Sequence, residues 1–102
     1  MRAKRVDANH AEIVEAFRKL GCSVRSTATV GNGFPDLAVA YRGVVKLVEV
    51  KDGLKPPSAQ KLTPDEQAFF DERVWGPHIV RDLDDVASTV RVLREWHRRL
   101  TA

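Results

Sequence analysis

Two adjacent runs of strand-forming residues, 36–41 and 44–51, constrain the fold of this chain more than any other segment. Only the dipeptide Arg42-Gly43 separates them, and the second run is the richest in β-branched residues in the sequence. Two such runs joined by a two-residue turn predict an antiparallel hairpin. Apolar residues occupy both faces of the second run, which indicates a central strand of the sheet.

If Tyr41 and Val44 flank the turn, the register pairs Leu37 with Val48. The same register continues to the next pair outward, in which an aspartate, residue 36, faces a glutamate, residue 49. Directly opposed side chains in an antiparallel pair have Cβ atoms about 4.5–5.5 Å apart. Two carboxylates at that distance repel each other unless a proton or a cation lies between them.

Lys51 lies two residues after Glu49, and the strand period of two places both side chains on one face. Asp36, Glu49 and Lys51 therefore converge at one end of an otherwise apolar hairpin face. Carboxylate oxygens are the ligands that Mg²⁺ takes in proteins, and a bound divalent ion supports phosphodiester hydrolysis. The alternative is a surface hairpin end, where Glu49 and Lys51 form an ion pair and Asp36 closes a turn.

The remaining elements follow from helix caps, turn residues and periodicity. Thr63 begins a Thr-Pro-Asp-Glu sequence that is typical of a capped helix start. Asp7 is the predicted cap of the first helix, and Gly21 its stop. Together with the hairpin, these signals predict the order α-β-β-β-α-β-α. The predicted elements outside the hairpin are a helix over 7–20, an edge strand over 22–28, a helix over 63–74, a strand over 78–81 and a final helix from residue 82.

Composition limits the classes of protein that remain. The 102 residues are 43% hydrophobic and 30% charged, which is typical of one globular domain. The sequence has no apolar run long enough to span a membrane, so no membrane partner is expected. The one cysteine, Cys22, excludes an intramolecular disulfide and a multi-thiolate zinc site, and it favours a reducing, cytoplasmic location.

The net charge of +3 is a modest excess that would attract a polyanion. Basic side chains outside the hairpin are candidates for contacts with a DNA backbone, which proteins bind largely through lysine and arginine. On charge alone, a solvated surface explains them equally well. These candidates are Lys55, Lys61, Arg91, Arg94 and Arg98.

The hairpin residues also resemble a known family. Pro35-Asp36, followed by Glu49-Val50-Lys51, resembles the motif of the PD-(D/E)XK nuclease superfamily. Three further segments and Gly76 are similar to the VRR-NUC branch, in its small stand-alone form from phage and bacterial genomes. Those segments are Gly33-Phe-Pro-Asp-Leu37, Leu47-Val-Glu-Val-Lys-Asp-Gly53 and Leu62-Thr-Pro-Asp-Glu-Gln67. The similarity extends from the first helix to the last.

The resemblance implies a single VRR-NUC-like domain over 1–102, with a restriction-endonuclease-like α/β fold. That fold has a mixed four-stranded sheet flanked by helices. It also implies that Asp36, Glu49 and the carbonyl of Val50 bind Mg²⁺, with Mn²⁺ as an alternative. Lys51 then assists the attacking water.

Two further positions follow from the same resemblance. Gln67 matches a glutamine that such nucleases place on the helix after the hairpin, and its spacing from Phe70 predicts a side chain facing the sheet. A half-exposed amide satisfied by the backbone is the alternative. The first helix often supplies another acid, for which Glu12 is preferred over Glu15. His10 stands about where archaeal junction resolvases place theirs, and is read as a structural histidine.

The function implied is a metal-dependent, structure-specific DNA endonuclease of a bacterial or phage-infected cell. Branched DNA such as a Holliday junction is the preferred substrate, because a domain this small offers little surface for reading a long sequence. A symmetric homodimer is expected, since two strands of a junction must be cut. The alternatives are a flap or nicking nuclease acting as a monomer or in a recombination complex, an idle DNA-binding module of the same fold, and a structural protein with chance motifs.

Overall fold

The computed structural model describes residues 7–102. The chain order of helices and strands is α-β-β-β-α-β-α, as predicted, with short 3₁₀ turns at Pro57–Gln60 and Arg73–Trp75. The elements are α1 (His10–Lys19), β1 (Ser23–Ser26), β2 (Leu37–Tyr41), β3 (Val44–Val50), α2 (Pro64–Asp71), β4 (His78–Val80) and α3 (Leu83–Thr101).

The four strands form one mixed sheet in the order β1-β2-β3-β4. The first two pairings are antiparallel, and β3 pairs with β4 in parallel. Leu37 pairs with Val48, so the predicted register is confirmed, as are the edge position of β1 and the central position of β3. Both turn residues have positive φ, 47° at Arg42 and 89° at Gly43, which is the geometry of a type I′ hairpin turn.

The hydrophobic core lies on one face of the sheet, beneath α1 and α3. Alternate residues of the strands point to this face, and each helix contributes residues at three- and four-residue spacing. Burial of one such side chain stabilises the fold by about 1.5–3 kcal/mol. The core residues include Ile13, Phe17, Val24, Leu37, Val39, Val48, Val50, Val80, Val86, Val90 and Leu93.

The opposite face of the sheet is more open. Ala38, Ala40 and Leu47 are half-buried there, and Val45 is exposed. At one end of the same face the strands lead into buried charged residues, and α2 begins over that end. The sheet therefore separates a closed apolar core from an open face with a polar end.

The N-terminal boundary of α1 differs from the prediction. The helix begins after Asn9, and Asp7 does not cap it. The Asn9 amide instead donates to the carbonyls of Lys51 and Arg81, both at 3.1 Å. Asp7 lies 3.3 Å from the ammonium group of Lys55. The start of α1 is therefore tied to the ends of β3 and β4, a long-range contact that local sequence does not reveal.

Two further elements are shorter than predicted. β1 covers only Ser23–Ser26, and α2 ends at Asp71, three residues before the predicted end at Val74. The chain then makes a 3₁₀ turn that Gly76 closes in the left-handed region, at φ 53°. The predicted capping box at Thr63 is confirmed. In the described part of the chain, no helix is long and apolar enough to cross a membrane.

Candidate active site

Asp36, Glu49 and Lys51 are all buried at the polar end of the sheet, with exposed fractions of 3%, 1% and 8%. Asp36 stands one residue before Leu37 and Glu49 one residue after Val48, so the two acids lie just beyond the outermost pair of the β2–β3 ladder. Removing charged groups from water is costly unless they are paired or hydrogen-bonded. Their contacts therefore determine what the site can do.

The Asp36 carboxylate contacts the neighbouring strand directly. Its Oδ2 atom accepts a hydrogen bond of 2.8 Å from the backbone N–H of Val50. Its own carbonyl accepts from the N–H of Thr27 at 2.7 Å, and the Thr27 hydroxyl donates to the Pro35 carbonyl at 2.6 Å. The chain entering β2 is thus fixed from both sides, and the carboxylate is directed at the Glu49–Val50 peptide.

The Lys51 ammonium lies between two carboxylates. Its Nζ atom is 3.6 Å from Oε2 of Glu49 and 2.9 Å from Oε1 of Glu66. The Lys51 backbone is fixed as well, because its N–H donates to the carbonyl of Val80 at 3.0 Å. The lysine is held at the same end of the sheet as the acid pair, as the hairpin register predicts.

Glu66 belongs to the site, although the sequence indicated only its helix-capping role. The residue is 2% exposed, and its side chain faces the hairpin end from the first turn of α2. One sequence feature indicated this orientation, namely the spacing of Glu66 from Phe69. Glu66 and Phe69 are three residues apart, and both are buried, so they form the inward stripe of α2.

The predicted orientation of Gln67 is wrong. Its side chain is exposed, and its amide donates to Oδ1 of Asp71 at 2.9 Å along the outer surface of α2. The inward positions of the helix are those of Glu66 and Phe69. The amide is satisfied by a side chain on its own helix, and the residue facing Lys51 is the glutamate before it.

The candidates for a further acid lie around the first turns of α1. Glu12 is exposed and lines a depression with Asp52, Arg81 and other residues. His10 and Glu15 line a separate groove, which Leu37 of β2 also borders. The choice among the three stays a prediction. Within residues 7–102, no group of three or more histidine, cysteine, aspartate or glutamate side chains is arranged to hold a metal ion.

The basic candidates lie in two different places. Lys61 is exposed on the segment before α2 and lines a groove with Arg81. Lys55 lies on the same segment. The other three are on α3, the helix that covers the core face of the sheet, away from the acids. They are Arg91, Arg94 and Arg98. Arg91 contacts Ser88, Arg94 lies over the Tyr41 ring, and Arg98 contacts Glu95.

The α3 arginines are also engaged locally. Hydrogen bonds from Arg98 and Arg99 hold the pKa of Glu95 below its usual value. The same contact raises the pKa of Arg98. Arg98 is paired in this way and is less available to a phosphate, whereas Lys61 is exposed on the segment before α2. Lys55 is itself ion-paired with Asp7, so the DNA contacts of these basic side chains stay a prediction.

The loop before Asp36 packs against the beginning of α2. Gly33 has φ 80°, and a Cβ placed on it would lie 2.2 Å from the carbonyl oxygen of Asp65. Phe34 then stacks edge-on with Phe69 at 5.2 Å between ring centroids and with Trp75 at 6.1 Å. The first turn of α2 therefore touches both the loop that carries Asp36 and the side chain of Lys51.

Comparison with known proteins identifies the family. No family model and no curated protein sequence matches the chain. A solved structure described as a VRR_NUC domain is similar, with 32% sequence identity and a TM-score of 0.54, covering 80% of this chain and 89% of that one. The chain belongs to the VRR-NUC family and has its restriction-endonuclease-like α/β fold.

Proposed function

We propose that this chain is a metal-dependent DNA endonuclease that hydrolyses phosphodiester bonds. The observation that carries the proposal is the burial of Asp36, Glu49 and Lys51 together at one end of the hairpin, in a chain of the VRR-NUC family. A binding module has no need of two opposed carboxylates beside a buried ammonium group. Metal-dependent hydrolysis of a phosphodiester can use the carboxylates to hold the ion and the ammonium group to orient water.

The donor set suits Mg²⁺, with Mn²⁺ as an alternative. Asp36 and Glu49 supply carboxylate oxygens, and Mg²⁺ is commonly held by one or two carboxylates while it keeps several waters. The N–H of Val50 points to Asp36, and the N–H and C=O of one residue in a strand point to the same side. The Val50 carbonyl would therefore complete the set. A bound divalent ion would supply Lewis-acid activation of the phosphate and of water.

Lys51 has a different role from the two acids, which is to orient water and to offset negative charge. Its ammonium group is held by Glu66 and lies near Glu49, so its position relative to the acid pair is fixed. From there it orients the attacking water and offsets the negative charge that develops on the phosphate oxygens. The acids cannot offset that charge, since an ionised carboxylate is itself negative and only accepts hydrogen bonds.

The preferred substrate is branched DNA, cut by a homodimer in the cytoplasm. Sequence-specific reading of DNA buries about 1,000–2,500 Å² of protein, a large share of so small a domain, whereas a branch is recognised by shape. Lys55 and Lys61 are the proposed backbone contacts, because both are exposed on the segment that follows the site. A buried, unpaired thiol at Cys22 is compatible with a reducing compartment.

The test compares cleavage of a labelled four-way junction, a flap and a plain duplex, with Mg²⁺ and with EDTA. We expect Mg²⁺-dependent cutting of the junction, and its loss in Asp36→Asn and Lys51→Met. Glu72→Gln, an exposed acid after α2, is the matched control. Preference for the flap would favour the monomeric nicking enzyme, and tight binding of all three without cutting would favour an idle module. Wild-type rates in Asp36→Asn would refute the catalytic assignment.

A further inference from the structure

Glu66 makes two hydrogen bonds with the same carboxylate oxygen. Its Oε1 atom accepts from the backbone N–H of Thr63 and from the ammonium group of Lys51, each at 2.9 Å. The N–H of Glu66 in turn donates to the Thr63 hydroxyl at 3.2 Å, which completes the capping box. One side chain thus joins the beginning of α2 to the lysine of the site.

Helix capping alone does not account for this arrangement. A capping-box glutamate needs only to reach back to the N–H of the cap residue, and a solvent-exposed side chain can do so. Glu66 is instead 2% exposed, and burial of a carboxylate is unfavourable without a charged partner. Lys51, itself buried, is that partner. The contact therefore has a role at the site as well as at the helix end.

The position of the α2 first turn is fixed from a second direction. The backbone at Gly33 lies so close to the Asp65 carbonyl that no side chain fits between them. Three residues after Gly33 the chain reaches Asp36. The turn that carries Glu66 is therefore packed against the loop before Asp36 and hydrogen-bonded to Lys51, and it sets where the two lie relative to each other.

We propose that Glu66 is a positioning residue that holds the Lys51 ammonium in its working place beside Glu49. The inference rests on the proposed nuclease function and adds a residue to it. Glu66 acts through Lys51 and touches neither the substrate nor the reacting atoms. Such supporting partners typically contribute about 10–100-fold to activity.

The position of the Lys51 ammonium group should depend more on where the accepting oxygen of residue 66 lies than on the charge of that side chain. Glu66→Gln keeps a carbonyl oxygen at the same reach, so it retains both hydrogen bonds. Glu66→Asp keeps the charge but withdraws the oxygen by one methylene. Glu66→Ala removes the acceptor. The three variants therefore separate the position of the oxygen from its charge.

The kinetic test measures cleavage at saturating Mg²⁺ and varied DNA concentration. We expect Glu66→Ala and Glu66→Asp to lower kcat about 10–100-fold with KM changed less than about threefold, and Glu66→Gln to stay within about threefold of wild type. Thr63→Ala and Asp65→Asn are the controls. The first weakens the cap and the second removes an exposed charge from the same turn, and neither should lower kcat. Wild-type kcat in Glu66→Asp, or a loss in Glu66→Gln equal to that in Glu66→Ala, would overturn the proposal.

A second measurement needs neither DNA nor metal. The ammonium resonance of a held lysine is observable by ¹H–¹⁵N NMR, whereas that of a mobile, solvated lysine exchanges with water and is lost. The Lys51 resonance should be present in wild type, Glu66→Gln and Thr63→Ala, and absent in Glu66→Asp. Persistence in Glu66→Asp would overturn the positioning role even in an active nuclease. A wild-type chain that shows the resonance but cuts no DNA would instead overturn the proposed function.

Discussion

The Asp36 carboxylate accepts a hydrogen bond from the backbone N–H of Val50 at 2.8 Å, across the open end of the hairpin. This contact joins the residue before β2 to the last residue of β3. It fixes one carboxylate oxygen against the strand that also carries Glu49. The candidate metal ligand is therefore held by the sheet itself, and a substitution at Asp36 that keeps an oxygen acceptor can retain this contact.

Asp36→Asn should abolish most cleavage while the domain stays folded. The amide oxygen of asparagine still accepts from the Val50 N–H, but it is a neutral and weaker ligand for a divalent ion. Loss of several kcal/mol of transition-state stabilisation corresponds to about 10²–10³-fold in rate. Single-turnover cleavage measures the effect, and a circular-dichroism melt confirms the fold. Cleavage within about threefold of the Glu72→Gln control would contradict a role for Asp36 in holding the ion.

Gly33→Ala should destabilise the protein more than Gly43→Ala. Both glycines have positive φ, 80° and 89°, so both substitutions carry backbone strain of about 1–2 kcal/mol. Only at Gly33 does the new Cβ meet the Asp65 carbonyl, at 2.2 Å, whereas nothing lies within 4 Å at Gly43. Each kcal/mol lowers the Tm of a domain this size by about 4–8 °C. Equal Tm values for the two variants would show that the loop does not pack on α2 as described.

Stability should also fall below about pH 6.5 because of His78. Burial, and then the nearby charge of Lys46, hold the pKa of His78 below the ordinary value of 6.5. The unfolded chain therefore takes up a proton as the pH falls through 6.5, before the folded chain does. Proton uptake by the unfolded state lowers the free energy of unfolding, and the loss ends once the pH is below the folded pKa.

To test the role of His78, Tm is measured at pH 7.5 and at pH 5.5 for both the wild type and His78→Gln. The half-buried ring leaves room for a glutamine, whose amide can still reach the Thr89 hydroxyl, 3.4 Å from Nδ1 in the wild type. The wild-type Tm should fall more between the two pH values than that of the variant. A drop of the same size in both proteins would assign the pH dependence to other groups.

The hairpin could be predicted from sequence, whereas the orientation of α2 could not. At the hairpin, a two-residue turn and the period of two leave one register that buries the apolar residues, so the pairing of Leu37 with Val48 followed. α2 has only eight residues, Pro64–Asp71. In so short a helix an error of one residue rotates the inward face by about 100°, which is how Gln67 was placed where Glu66 lies.

The start of α1 was missed for a related reason. Asp7 is a favourable capping residue by type, but the helix begins at His10, directly after Asn9, whose amide donates to the carbonyls of Lys51 and Arg81. Those partners lie 42 and 72 residues away in sequence, so no local pattern records them. The candidate site shows both cases: the convergence of Asp36, Glu49 and Lys51 follows from the hairpin pattern, whereas the contact of Glu66 with Lys51 depends on tertiary packing that its spacing from Phe69 only hints at.

DNA affinity should depend on Lys61 more than on Arg91. Lys61 lies on the segment that follows the site, whereas Arg91 lies on α3, which covers the opposite face of the sheet. Lys61→Gln should weaken junction binding and reduce the slope of log affinity against log salt by about 1, as expected for one lost phosphate contact. Arg91→Gln removes the same charge and should leave that slope nearly unchanged. Binding to a labelled junction in Ca²⁺ at several salt concentrations measures both. If Arg91→Gln reduced the slope as much as Lys61→Gln, the DNA would have to extend over α3, and the face that carries the acids would not be the principal DNA-binding surface.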